Sequence, residues 1–285
     1  MISVSFNVDL LELFDRFRGR YRSTLSSRFV QLFESHNVNR NQIPSFFGYE
    51  LTHADVNNED LLLKKLNDTS LSAACNLFGV QREWLDCADS RVYNPHFFYN
   101  DQEQFALFLD QLCNSGKEFT LRLFLSTNSK WELDTLLLVE EEIARIGETS
   151  IYRFHFCSGW IHRYHKCRPD LVRCIAMILN RKKLCLHGHW VKDSLASLCA
   201  GEGLPNLIRA LKHDRNKYKT GVWDPDHWIF DIEDFLNGID GEDFGRANAL
   251  VRWLEMCKKG NFRTDYCQQL PIKEAESRLR KLQRK

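Results

Sequence analysis

Several common functional signatures are missing from this 285-residue sequence. It has no Gly-x-x-x-x-Gly-Lys phosphate loop, no dinucleotide-binding Gly-x-Gly-x-x-Gly turn and no His-Glu-x-x-His helix. Its ten cysteines include no Cys-x-x-Cys pair. The apolar run 171–179 is interrupted by Arg173 and is far shorter than the ~20 residues of a membrane-spanning helix. Nothing in these patterns requires an enzyme, and none indicates a membrane partner.

Neither sign of charge dominates the chain. Lysine and arginine number 39 against 38 aspartate and glutamate, so the net charge of +1 does not select a nucleic acid, a membrane or an acidic ligand. The N-terminal segment lacks the basic and apolar regions of a secretory signal, and we expect a cytoplasmic protein with reduced thiols. A hydrophobic fraction of 44% can bury a substantial core, which excludes wholesale disorder.

The region up to residue 92 has the clearest helical pattern. Leu25, Phe29 and Leu32 recur at spacings of four and three, which predicts one apolar face of a first helix. The segment 39–47 follows as a second helix, with Pro44 in its first turn. Gly48 then permits a tight turn. A later amphipathic segment leads into the run Ala74-Cys75-Asn76-Leu77-Phe78-Gly79-Val80-Gln81-Arg82-Glu83-Trp84-Leu85.

This combination, over about residues 24–90, resembles the lambda-repressor/Cro (XRE) family of helix-turn-helix proteins. The resemblance implies an all-helical domain over 1–92 that binds double-stranded DNA as a homodimer, as bacterial and phage regulators do. It also implies that the segment after the glycine turn, 51–60, enters the major groove while a basic N-terminal arm contacts phosphates. The DNA-contacting residues implied are Arg18, Arg20, Arg22, Arg40, Gln42, Thr52, His53, Asn57 and Asn58.

The same segment also carries three acidic side chains that would face phosphates. Asp55, Glu59 and Asp60 would be repelled by the DNA backbone. This leaves a second hypothesis open, in which the helix-turn-helix docks a protein partner and no longer binds DNA, because a fold alone does not fix a function.

The pattern of predicted helices and strands over residues 98–285 indicates a mixed α+β domain with a helical C-terminal tail. Domains of this kind are used for sensing or dimerisation. The expected hairpin pairs 151–157 with 160–165 through a turn at Ser158-Gly159. The other expected elements are helices 105–113, 134–146, 169–180, 246–258 and 272–282 and strands 119–125 and 183–190. The fold class predicted for the whole chain is therefore α+β.

Histidine and cysteine on the predicted strands suggest a metal site. His155, Cys157 and His162 would share one face of the hairpin, and His187 lies on the next strand. If those faces adjoin, their nitrogen and sulfur atoms fit a tetrahedral zinc ion. The spacing lacks the paired ligands of structural zinc sites, so a sheet face of aromatic and imidazole rings is the alternative.

Two further hypotheses concern the second domain. A thiolate beside an imidazole is a nucleophile, which makes an enzyme or toxin a weaker alternative. Trp223 and Trp228 flank Pro225 and acidic residues, which suits either a ligand pocket or packing at the domain edge. Taken together, the sequence favours a DNA-binding transcriptional regulator with a sensing or dimerisation domain.

Overall fold

The computed structural model describes residues 24–127, 134–192, 195–203, 221–262 and 270–284. Within them the helices are α1 (Leu25–Ser35), α2 (Ile43–Phe47), α3 (His53–Val56), α4 (Glu59–Lys65), α5 (Asp68–Phe78), α6 (Arg82–Leu85), α7 (Gln102–Asn114), α8 (Cys167–Leu179), α9 (Ala196–Cys199), α10 (His227–Phe230), α11 (Ile232–Leu236), α12 (Glu242–Lys258) and α13 (Ile272–Leu282). The strands are β1 (His96–Phe97), β2 (Phe119–Ser126), β3 (Thr135–Ile146), β4 (Thr149–Ser158), β5 (Cys185–Val191) and β6 (Gly221–Trp223).

The six strands form one mixed sheet in the order β1-β4-β3-β2-β5-β6. Strands β2, β3 and β4 are an antiparallel meander, and β5 pairs parallel with β2 after α8 has carried the chain across the sheet. Strand β1 is parallel to β4, and β6 is antiparallel to β5. Strands β1, β2, β4 and β5 therefore run in the same direction and their carboxyl ends lie at one edge.

Both faces of the sheet are covered, which makes three layers and an α+β fold. Leu121, Leu123 and Leu137 face a core that includes residues of α7, α8, α12 and α13. Phe124 and Leu138 face a second core shared with the N-terminal helices. The two predicted domains thus pack on each other, with residues before 92 and residues of the sheet in one cluster.

The N-terminal helices begin and end at recognisable capping residues. Thr24 and Ser27 form a reciprocal capping box at the start of α1, with Ser27 N donating to Thr24 Oγ1 over 3.1 Å and Thr24 N to Ser27 Oγ over 2.9 Å. Gly79 ends α5 in the left-handed conformation at φ 72°. The expected apolar face of α1 is confirmed, because Phe29, Leu32 and Phe33 are fully buried.

Two predictions for the second half are wrong. Residues 134–146 do not form a helix but supply β3, whose alternate side chains Leu136 and Leu137 are buried against opposite layers. A strand covered on both faces reads as a continuous apolar run, which hides its period of two. The hairpin joins β3 to β4 through the two residues 147 and 148, whereas β4 stops at Ser158 and residues after Gly159 turn into α8.

The remaining predicted elements of that half agree with the structure. Helices α7, α8, α12 and α13 and strands β2 and β5 occur where periodicity placed them. Among the described residues, no helix is both long and apolar enough to cross a membrane.

Candidate DNA-binding surface and ligand cavity

Helix α1 is followed by a short connection and a second helical segment, which is the order of elements in a helix-turn-helix. Residues 36–39 connect α1 to a 3-10 turn at Arg40–Gln42, which continues directly into α2. Asn37 has φ 70°, the left-handed conformation that lets a short connection reverse direction. The buried side chains of Val38 and Ile43 hold the second segment against α1. The unit therefore comprises residues 25–47.

The second segment of this unit exposes polar side chains at its start. Asn39, Arg40 and Asn41 are exposed, as is Ser45 one turn later. In helix-turn-helix proteins the first residues of the second helix contact base edges, and asparagine, arginine and serine are side chains suited to that contact. Asn39, Asn41 and Ser45 are not among the DNA-contacting residues predicted from the sequence, because the segment 51–60 is the one expected to enter the major groove.

That segment is not a single helix, and its polar residues mainly cap two short ones. Thr52 Oγ1 accepts from Asp55 N over 3.2 Å at the start of α3, and Asn58 Oδ1 accepts from Asp60 N over 3.0 Å at the start of α4. Asn57 Nδ2 donates to the carbonyl oxygen of His53 over 2.8 Å. Because these groups satisfy helix ends, contacts with bases would compete with the caps.

The other DNA-contacting residues predicted from the sequence differ in their surroundings. Arg40 Nε lies 3.4 Å from Glu34 Oε1 with its side chain half exposed, and such an ion pair is weak. Gln42 Oε1 accepts from Asn39 N over 2.9 Å, and the imidazole of His53 is exposed. The three arginines of the predicted arm, Arg18, Arg20 and Arg22, lie outside the described residues.

The four residues of the predicted zinc site do not meet. His155 Nε2 lies 2.8 Å from Glu141 Oε2, while Cys157 is fully buried and its burial raises the pKa of the thiol. His187 shares the β5 face of His189, whose ring stacks on Phe124 in the opposite core. In the described part of the chain no three His, Cys, Asp or Glu side chains are arranged to hold a metal ion.

His162 instead lines a cavity at the carboxyl edge of the sheet. The cavity, about 450 Å³, lies beyond the ends of β2 and β5. In the sheet, β3 lies on the far side of β2 and β6 on the far side of β5. The end of an open sheet between two such parallel strands is a common ligand site. Its lining residues are Thr127, His162, Arg163, Trp190, Trp223, His227, Trp228, Asp234, Asn237, Gly238, Ile239 and Asp240.

A buried carboxylate orients His162. Asp134 Oδ1 accepts from the backbone N–H of His162 over 2.8 Å and from the hydroxyl of Thr135 over 3.0 Å. Asp134 Oδ2 lies 2.9 Å from His162 Nδ1, although the two groups are not aligned as a good hydrogen bond. Burial lowers the pKa of His162 more than Asp134 raises it, so the ring is neutral at pH 7.

Three tryptophans form the aromatic wall. The ring centroids of Trp223 and Trp228 are 4.6 Å apart, and those of Trp190 and Trp223 are 5.7 Å apart. Trp223 lies against Gly188 of β5, where an added Cβ would come within 2.4 Å of the Trp223 carbonyl oxygen and 2.7 Å of the indole. Only a glycine at this position lets the ring approach the strand so closely.

Arg168 fixes the other side of this wall. Its guanidinium is fully buried, lies 3.8 Å above the centroid of the Trp228 ring and donates to the carbonyl oxygens of His162, Phe235 and Asn237. Burial lowers the pKa of Arg168 to about 9, and the group remains charged at neutral pH. One side chain therefore holds the His162 loop, Trp228 and the end of α11 together.

The chain matches no protein-family model, and no curated protein or solved structure is significantly similar to it. The functional conclusion therefore depends on the geometry of the two sites.

Proposed function

We propose that this protein is a cytoplasmic DNA-binding transcriptional regulator whose cavity senses a small molecule. The observation that carries the proposal is the pair of helical segments at 25–47, with Asn39, Arg40 and Asn41 exposed at the start of the second, as a helix-turn-helix would require. A homodimer would place two such units on two half-sites, and the arginines at 18, 20 and 22 would contact phosphates.

Support for a sensing role comes from contacts that connect the chain after β5, a strand beside the cavity, with the helical segments at 25–47. After β5 the chain forms α9 and reaches Gly201, whose carbonyl oxygen accepts from Val92 N over 2.7 Å and from Tyr93 N over 2.9 Å. The hydroxyl of Tyr93 lies 3.3 Å from Nε2 of His36, the residue before the left-handed turn. A shift of β5 caused by a ligand would reach that turn through packed groups.

The test is selection of the purified full chain against a random duplex library, followed by titration of the enriched duplex at two salt concentrations. Arg40→Glu should weaken binding and reduce the salt slope by about 1 if Arg40 contacts a phosphate, or relax preference at one base pair if it contacts a base. Arg91→Glu is the matched control, because Arg91 is similarly exposed (55% against 46%) and also pairs with a carboxylate, Asp89.

The proposal fails if no motif is enriched, or if Arg40→Glu and Arg91→Glu bind the selected duplex equally well. A third variant, with Arg18, Arg20 and Arg22 all changed to glutamate, tests the arm separately and should lower affinity for every duplex. Light scattering of the full chain tests the homodimer, for which a mass of 33.6 kDa would be contrary evidence.

A protein-docking module is the second candidate function, and the charge of the helical region favours it. Residues 24–94 contain six lysine or arginine residues against nine aspartate or glutamate residues, which disfavours contact with phosphates. Helix α4 also exposes Leu61 (40%) and Leu63 (52%). If the library selection fails, affinity capture compared between the parent chain and Leu63→Asp tests this candidate.

A further inference from the structure

Helix α12 carries a stripe of exposed and half-buried side chains from its first turn to the residue after its end. The members of this α12 stripe recur at spacings of four and three residues, which places them on one side of the helix: Phe244, Asn248, Arg252, Glu255 and Lys259. The other side of α12 is buried in the core. With a rise of ~1.5 Å per residue, the stripe is ~22 Å long.

An aromatic ring stands at the beginning of the stripe. Phe244 is 73% exposed, the largest exposed fraction of any large apolar side chain in the described ranges. Its ring centroid lies 6.1 Å from that of His165, which in turn lies 4.7 Å from the ring of Tyr164. Asn248 Nδ2 donates to the carbonyl oxygen of Phe244 over 2.9 Å, so an amide group is held next to the ring. A ring this exposed is accessible to a planar partner that stacks on it.

The rest of the stripe lines a groove of about 580 Å³, the α12 groove, to which α8 contributes Arg173. Three of the lining side chains are cations, Arg173, Arg252 and Lys259, whereas Glu255 is the one carboxylate among them. Arg252 and Lys259 have no ion-pair partner in the part of the chain that the structure describes. The excess of positive charge therefore attracts an anionic partner to this groove.

The order of these groups along the helix fits a single strand of nucleic acid. Such a strand presents bases that stack on aromatic side chains and phosphates that pair with cations. In a duplex the faces of the bases are stacked on each other, so a duplex would leave the exposed ring unused. An acidic peptide would use the cations without the ring, and a mononucleotide is shorter than the ~22 Å stripe.

We propose that the α12 groove binds single-stranded nucleic acid, with a base on Phe244 and phosphates at Arg252 and Lys259. The half-buried Arg173 adds a third cation from α8. The groove is separate in the chain from the helical segments at 25–47, and this proposal does not depend on the duplex-binding function.

The experiment is fluorescence anisotropy of a labelled 12-nucleotide oligothymidine titrated with the full chain at several salt concentrations. We expect binding whose logarithm falls against the logarithm of salt with a slope of about −2, because three phosphate contacts contribute about −0.7 each. Phe244→Ala should weaken binding at least about fivefold, and Phe244→Tyr, which keeps a ring, should bind like the parent. Arg252→Gln combined with Lys259→Gln should reduce the slope by about 1.4.

Matched controls lie outside the groove lining. Phe97→Ala removes another exposed phenylalanine, 60% accessible, from the edge strand β1. Arg145→Gln removes a cation of β3 that is 56% exposed. Both variants should bind the oligothymidine like the parent. Since all these substitutions replace accessible side chains, circular dichroism should be the same for every variant.

The proposal is overturned if the parent gives no anisotropy change at about 100 μM protein in low salt, or if Phe244→Ala binds as tightly as Phe97→Ala. It is also overturned if thymidine monophosphate or a glutamate decapeptide competes as well as the unlabelled strand, since either result would assign the groove to another class of anion. Arg40→Glu should leave single-strand binding unchanged, and Phe244→Ala should leave binding of a selected duplex unchanged. Failure of one proposal is therefore distinguishable from failure of the other.

Discussion

Gly201 follows α9 and is hydrogen-bonded to the backbone of Val92 and Tyr93, just after the N-terminal helices, and Gly201→Ala tests how strongly that contact holds the N-terminal region in place. The residue is buried and has φ 78°. A Cβ atom built on it would lie 2.4 Å from the carbonyl oxygen of Tyr93, which is backbone and has little freedom to move. The same residue accepts two hydrogen bonds, from Val92 N and Tyr93 N.

The expected loss of stability has two parts. An alanine in the left-handed conformation costs about 1 kcal/mol. Relief of the contact with Tyr93 must separate the two segments, and loss of two hydrogen bonds costs about 1 kcal/mol each. The free energy of unfolding should therefore fall by about 3 kcal/mol. Gly116→Ala provides the control, because Gly116 has nearly the same φ of 73° but nothing within 4 Å of its Cβ position.

The assay is urea unfolding at 25 °C followed by tryptophan fluorescence, with the slope m compared between variants. The free energy of unfolding of Gly116→Ala should fall by about 1 kcal/mol. Alanine also lowers the conformational entropy of the unfolded chain, but this effect is common to both variants and cancels in the comparison. The difference of about 2 kcal/mol measures the contact itself. Equal losses in the two variants would refute the conclusion that this contact fastens the N-terminal helices to the sheet.

Two other predictions concern titratable groups. Burial lowers the pKa of His36 from 6.5 to about 3, so below pH 6.5 the unfolded chain binds a proton that the folded protein does not. As pH falls from 6 to 4, this difference should lower the free energy of unfolding by about 1.4 kcal/mol per pH unit. The free energy of unfolding of His36→Gln should lack this part of the pH dependence. An equally steep fall in the variant would contradict the prediction. Exposed Cys87 and Cys185 should react with iodoacetamide in the native protein, whereas Cys157 and Cys174, whose burial raises their thiol pKa, should react only in urea. Peptide mass spectrometry separates the sites, and early labelling of Cys157 would show that its core is open.

Local patterns were sufficient for the amphipathic helices. The apolar face of α1 and the helices α7, α8, α12 and α13 follow from a 3.6-residue period that burial on one side imposes on the sequence. The strand β2 was predicted for a similar reason. The α+β class follows from these elements, because the local sequence pattern of each one indicates whether it is a helix or a strand.

The identity of β3 depended on tertiary packing. Its leucine and glutamate residues have good intrinsic helix propensity. The extended conformation is the more stable one only because helical layers pack on both faces of the strand. The short connection after α1 was also hard to locate from the sequence, because its left-handed residue is Asn37 and not a glycine.

The candidate cavity is the clearest case of what the sequence alone did not reveal. Trp223 and Trp228 were recognised as unusual, and His162 was assigned to a metal site that does not form. Asp134 and His162 are in contact although they lie 28 positions apart in the sequence. Trp223 and Gly188 are in contact because they lie on two paired strands, β6 and β5. The sequence by itself determined where α1, α7, α8, α12 and α13 form, that the chain can bury a core and that Gly188 lacks a side chain. Which side chains meet at the carboxyl edge was decided by the tertiary structure, because β5 pairs with β2 and the residues between 227 and 240 pack over that edge.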